Sequence, residues 1–237
     1  MKNIILASTS TIHGSDFLEY LLDDLKDLFG AIDEVLFIPY ARPNGVSHDD
    51  YTNKAQEAFT KIGLTLHGIH EHQDPQTALA NAKGIFVGGG NTFVLVKALY
   101  EKGLMPILKE RIISGMPYLG TSAGSNICGL SLGTTNDMPI VYPPSFSTLG
   151  VVPFNINPHY LDPDPKSTHM GETRETRIKE FHKFNDTTVI GLREGSFLRV
   201  WNNSIVLNGD LNARIFEPDE PAREVKTGTD LKIYLNK

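Results

Sequence analysis

Between residues 4 and 120 short apolar runs alternate with longer polar stretches that carry apolar side chains at helical spacing, with no internal sequence repeat. Runs at 4–7, 35–39, 64–69, 84–87 and 117–120 read as strands, and the intervening stretches 15–28, 50–62, 74–82, 92–103 and 106–114 as helices. In the first helix Phe17, Leu18, Leu21, Leu22, Leu25 and Leu28 share one face, Gly63 closes the second, and Asp74-Pro75 starts the third. Strands that alternate with helices pair in parallel, because a parallel neighbour can be reached only by a crossover. The rhythm therefore predicts an α/β fold, with a mostly parallel sheet and helices on both faces.

The second half is less regular. Residues 134–158, rich in Pro and Asn, read as loops with short strands, and 171–184 as a charged helix. Strands are expected at 188–192, 197–201, 204–207 and 213–216, with turn signals at Glu194-Gly195, Asn202-Asn203 and Asn208-Gly209. These are expected as antiparallel strands added to the parallel sheet. Nothing in the chain reads as a linker, so one domain over 1–237 is expected.

Composition narrows the function classes. Hydrophobic residues make up 40% and charged residues 21%, enough for a core and too apolar for a disordered chain. The 22 Lys and Arg against 28 Asp and Glu give a formal charge of −6, which argues against nucleic-acid and anionic-membrane binding. With one cysteine, Cys128, neither an intrachain disulfide nor a cysteine metal cluster can form. The apolar start is too short for a signal peptide and no run reaches membrane-helix length, so a soluble cytoplasmic protein is expected.

Two strands end in loops that can carry chemistry. Gly120-Thr121-Ser122-Ala123-Gly124 matches the G-x-S-x-G nucleophile elbow, where a serine sits on a tight strand-to-helix turn and the helix N-terminus aims amides at an oxyanion. Gly88-Gly89-Gly90-Asn91 lets the backbone approach a ligand, and ligands bind at the carboxyl ends of parallel strands. Amides of Gly90 and Ala123 could form an oxyanion hole across one crevice. A phosphate cradle is disfavoured, since neither the Walker lysine nor G-x-G-x-x-G spacing is present. A serine nucleophile needs a base. Of eight histidines, His70-x-His72 could suggest a metal but reads better as exposed loop residues, and His13, His48, His169 and His182 have no informative context. His159 ends an apolar, strand-like stretch where a loop begins.

Six segments then resemble a known family, the peptidase E group of α-aspartyl dipeptidases, serine peptidase family S51. They are 86–93 with its three glycines, 120–126 with Ser122, 134–141 (Thr-Thr-Asn-Asp-Met-Pro-Ile-Val), 156–159 (Ile-Asn-Pro-His), 171–175 (Gly-Glu-Thr-Arg-Glu) and 189–195 (Val-Ile-Gly-Leu-Arg-Glu-Gly). They come in the family's order and spacing. The resemblance implies a class I glutamine amidotransferase-like (flavodoxin-like) fold with serine in place of cysteine. It also implies hydrolysis of dipeptides with an N-terminal aspartate, with no metal and no cofactor. Matched by position, Ser122 is the nucleophile, His159 the base, Gly90 and Ala123 the oxyanion donors, and Arg174 the residue linked to the substrate aspartate. Asp137 and Glu194 are both candidates for the acid that orients His159. Asp137 is preferred because its segment matches the family most closely. The expected partner is a small peptide, with neither nucleic acid nor membrane, and the chain acts as a monomer or homodimer.

Two other readings share these motifs. An α/β-hydrolase esterase has the same elbow and the order serine, acid, histidine. There the histidine normally lies close to the C-terminus, whereas His159 is followed by a long stretch of chain. A non-catalytic flavodoxin-like module could hold a small anion on the glycine loops, but it leaves the matched serine, histidine, carboxylates and arginine without a role. Cys128 reads as a buried small residue, the charges of 171–184 as a solvated face with Glu175 and Lys179 paired, and Trp201 as packing.

Overall fold

Ile4, Ile5, Leu6 and Ala7 are all fully buried, as a central strand covered on both faces requires. The computed structural model describes residues 1–164, 166, 168 and 170–235, so His169 lies outside the described residues. The strands are β1 (Asn3–Ala7), β2 (Glu34–Ile38), β3 (Thr65–Gly68), β4 (Ile85–Val87), β5 (Tyr118–Thr121), β6 (Asn155–Asn157), β7 (Val189–Leu192), β8 (Ser196–Trp201), β9 (Ser204–Gly209), β10 (Ala213–Phe216) and β11 (Arg223–Val225). The helices are α1 (Leu22–Phe29), α2 (His48–Thr60), α3 (Pro75–Asn81), α4 (Thr92–Glu101), α5 (Leu104–Ile113), α6 (Ala123–Asn126) and α7 (Arg174–Phe181).

Seven strands form the main sheet in the order β3-β2-β4-β5-β1-β8-β9. The first five are parallel, while β8 and β9 join antiparallel at the β1 side. The period-two pleat divides the core. Ile5, Ala7, Phe37, Phe86 and Leu119 pack against α1 and α2, whereas Ile4, Leu6, Ile38, Ile85 and Val87 pack with α3, α4 and α5. No helix among the described residues is long and apolar enough to cross a membrane.

Two expectations change. The first helix does not begin at residue 15. Leu18 is left-handed (φ 57), a short 3-10 turn covers Glu19–Leu21, and α1 starts at Leu22. Side chains divert this segment: Ser15 Oγ donates to the Ile12 carbonyl (3.0 Å), and Glu19 accepts the Asp16 amide (2.7 Å), so local bonds replace the first helical turns. Second, not all the later strands extend the main sheet. β7 and β10 combine with β6 and β11 in a separate sheet ordered β11-β10-β7-β6, with β6 and β7 parallel. Period-two alternation sets which face a strand buries, not which strand it pairs with, and β8 already occupies the free edge of β1.

Phe86 lies at the centre of the α1–α2 face, with ring centroids 4.7 Å from Phe37, 5.8 Å from Phe59 and 6.4 Å from Phe17. Phe86→Ala should cost about 3–5 kcal/mol, since rigid neighbours on three sides limit collapse of the cavity. The urea midpoint measures it, and a loss below about 1 kcal/mol would show that this face repacks freely.

Candidate active site

The turn between β5 and α6 is forced by backbone crowding. A Cβ on Gly124 would overlap the Val87 carbonyl oxygen, and one on Gly120 would stand 2.5 Å from the Gly124 oxygen. The helix can thus lie hard against β4 and β5 only with glycine at both places. Ser122, between them, has φ 52 and ψ −109, a conformation that non-glycine residues keep only where the surroundings enforce it. Its amide donates to the Ala7 carbonyl (3.0 Å), and the Ser125 hydroxyl lies 2.7 Å from both the Ala7 and Gly120 carbonyls.

His159 arrives from the second sheet. It follows β6, also has positive φ (52), and its amide donates to Ser8 Oγ (2.8 Å). The imidazole Nε2 lies 2.9 Å from Ser122 Oγ, and Nδ1 lies 2.7 Å from Glu194 Oε1. An ionised carboxylate only accepts, so Nδ1 carries the proton and Nε2 is left to accept from the serine hydroxyl. Glu194 sits on the tight turn that leaves β7 and enters β8, closed by the Ser196 amide on the Arg193 carbonyl (3.0 Å). Arg193 is tied down by Asp162 (2.7 Å), Glu224 (2.7 Å) and the Asn212 carbonyl (2.6 Å), which anchors that turn. The His159 and Glu194 side chains are 38% and 56% exposed, so water reaches the pair.

Asp137 stands elsewhere. Its Oδ2 accepts from the Thr92 amide (2.7 Å), the Thr92 hydroxyl (2.7 Å) and the Thr135 hydroxyl (2.8 Å). It thereby holds the N-terminus of α4, where a negative charge is favoured. The carboxylate beside His159 is therefore Glu194, not the preferred Asp137. Two loop carboxylates cannot be ranked by sequence alone when Thr92 and Thr135 can capture one of them.

The glycine loop between β4 and α4 runs beside the serine. A Cβ on Gly89 would come within 3.6 Å of Ser122 Oγ, and one on Gly90 (φ 147) would overlap the Ala41 carbonyl oxygen. Among the described residues, neither the Gly90 nor the Ala123 amide has a hydrogen-bond partner. Arg174 opens α7 and is half-buried. It lines a cavity of about 40 Å³ with Thr135, Asn136, Asn157, Arg177 and Phe181, and Asn136 in turn donates to the Pro158 carbonyl (2.6 Å), next to His159. Burial, then the Arg177 charge, lowers its pKa, with Asp137 opposing, and no carboxylate pairs with it among the described residues. Of the side readings, Cys128 is fully buried and Trp201 is 49% exposed. His70 pairs with Asp49 (2.7 Å), and Glu175 binds both Lys179 (2.7 Å) and Arg214 (2.8 Å). Ser8, whose hydroxyl meets the His159 amide, has no motif around it in the sequence. Its one signal is a hydroxyl at the carboxyl end of a central strand.

The model of Peptidase family S51 matches residues 4–208. Over 234 residues the chain is 50% identical to "Peptidase E" of Streptomyces coelicolor, covering 99% of this chain and 95% of that one. It is 45% identical over 239 residues to a Drosophila melanogaster protein named "Probable alpha-aspartyl dipeptidase", covering 100% and 98%. The solved structure of a peptidase from an acI-B1 Actinobacterium superposes with a TM-score of 0.72 at 16% identity, covering 98% of this chain and 96% of that one, which shows a shared fold.

Burial pushes the Cys128 thiol up to about 12. Little thiolate exists at neutral pH, so iodoacetamide at pH 8 should leave the native protein unmodified and alkylate Cys128 only after unfolding. Rapid native labelling, read by intact mass, would contradict this burial.

Proposed function

The chain belongs to peptidase family S51, and we propose that it is a serine dipeptidase that cleaves the bond after an N-terminal aspartate. The observation that carries this reading is the relay of Ser122, His159 and Glu194 at 2.9 and 2.7 Å on a strained serine turn. In it, His159 Nε2 takes the Ser122 proton as Oγ attacks the scissile carbonyl, and Glu194 stabilises the imidazolium. The Gly90 and Ala123 amides receive the oxyanion, where donors fixed in advance act without reorganising. His159 returns the proton to the leaving amine, and water then hydrolyses the acyl-enzyme by the same route. The alpha-aspartyl dipeptidase relative supports aspartate as the first residue. Arg174 supplies the local cation that a chain of charge −6 needs to hold it. We further propose that the fold is of the class I glutamine amidotransferase type with serine in place of cysteine, and that the chain works as one domain, monomeric or dimeric, without metal or cofactor.

Ser122→Ala should lower Asp-Leu turnover by several decades with the fold intact. Glu194→Gln should lower kcat by about 10–100-fold, less than the roughly 10⁴ of a buried triad acid, because water can reach Nδ1 here. Asp137→Ala should instead lose about 1–3 kcal/mol of stability by stranding the Thr92 amide, whereas Glu194→Gln should leave the urea midpoint unchanged. Wild-type kcat in Glu194→Gln would mean that another group orients His159.

Arg174→Met should cost about 2–5 kcal/mol in kcat/KM for Asp-Leu, the range for truncating one partner of a buried charge pair. Activity on Asn-Leu should change much less, so the Asp/Asn ratio should collapse. Arg174→Lys should restore part of it, since an ammonium cannot make the two parallel bonds of a guanidinium. An unchanged ratio would move the assignment to another cation. Arg193 already holds two carboxylates, so Lys166 and Arg177, which lines the same cavity, are the next to test.

A further inference from the structure

Ser8 follows β1 and is fully buried. Its amide donates to the Ser196 carbonyl (3.0 Å), and its hydroxyl donates to the Leu192 carbonyl (2.8 Å) and accepts the His159 amide (2.8 Å). Leu192 and Ser196 flank the turn that carries Glu194. The neighbouring residue, Ala7, pairs with Thr121 of β5 on one side and Phe197 of β8 on the other, and its carbonyl accepts the Ser122 amide (3.0 Å). Two consecutive residues therefore hold the backbones of Ser122 and His159 and both ends of the Glu194 turn.

We propose that Ser8 is a positioning residue for His159, whose hydroxyl fixes the strained backbone of the base at a set distance from the turn bearing Glu194. The inference rests on reading Ser122, His159 and Glu194 as the reacting relay. The bonding pattern separates this role from ordinary core satisfaction. The Leu192 carbonyl also accepts the Tyr160 amide (2.9 Å), so it keeps a partner without Ser8. The His159 amide has no other partner among the described residues, so the loss falls on a residue with φ 52 that needs enforcement. An imidazole 2.9 Å from one partner and 2.7 Å from the other tolerates little displacement before it loses one of them.

The test uses Ser8→Ala and Ser8→Cys in the full chain, with two readouts: Asp-Leu hydrolysis, and the rate at which a fluorophosphonate labels Ser122 without peptide. Both variants should lower kcat and the labelling rate together by about 10–100-fold, the scale of a misplaced reacting group, with KM within about twofold. In a Glu194→Gln background, Ser8→Ala should cost less than about threefold, since the contact it protects is already impaired. Unchanged kcat and labelling overturns the proposal, and so does an equal loss in both backgrounds, the signature of general destabilisation. If Ser8→Ala does not fold, Ser8→Cys decides alone, because sulfur is close in size and a weak acceptor. A wild-type protein that labels but spares Asp-Leu refutes the substrate assignment and leaves this inference to the labelling rates. One that does neither overturns both.

Discussion

Helix α6 meets the sheet with its backbone, and the geometry of the site follows from that contact. Side chains at Gly120 and Gly124 would drive the helix away from β4 and β5. With them absent, the Gly124 carbonyl can accept the Tyr118 hydroxyl (2.7 Å), and Asn126 can donate across to Ile156 of the second sheet (2.7 Å). Ser122 is thus held at positive φ by packing on both sides, and no loop needs to close to put it in place. That Asn126 bond ties the helix to β6, the strand from which His159 emerges.

Electrostatics acts locally against an unhelpful global field. A net charge of −6 repels an acidic peptide at long range. Arg193 and Arg214 are neutralised by Asp162, Glu224 and Glu175. Arg174 differs in being half-buried beside another arginine. Water compensates it poorly there, and an incoming carboxylate would relieve that cost. The Ser122–His159–Glu194 contacts are wetter, and such exposed hydrogen bonds contribute direction more than energy.

How much of this was legible in the sequence follows from how each residue is constrained. The five parallel strands could be read because their residues are buried on both faces, and the glycine loops because close backbone approach admits few alternatives. Ser122 and His159 were legible through motif and resemblance, and the structure brings them together at 2.9 Å. The second sheet was not legible, because strand patterns carry no label for their partners. Nor was the carboxylate beside His159, because its distinction from Asp137 lies in which hydroxyls and amides are within 3 Å. Ser8 was hidden for the opposite reason: a serine after a strand is commonplace, and only its two bonds across the chain distinguish it.

Those bonds have a consequence for the order in which the protein forms. The hydroxyl of Ser8 is separated from its partners by 151 and 184 residues of chain, among the longest loops that any contact here closes. Long closures are slow and gain nothing until the intervening elements are packed. The parallel sheet, built from nearer neighbours, can assemble while β1 still lacks β8 on its outer side and the second sheet remains undocked. Such a species would hold Ser122 on its turn with neither His159 nor Glu194 in place. The contacts that join Ser122 to His159 and His159 to Glu194 are then a property of the finished chain.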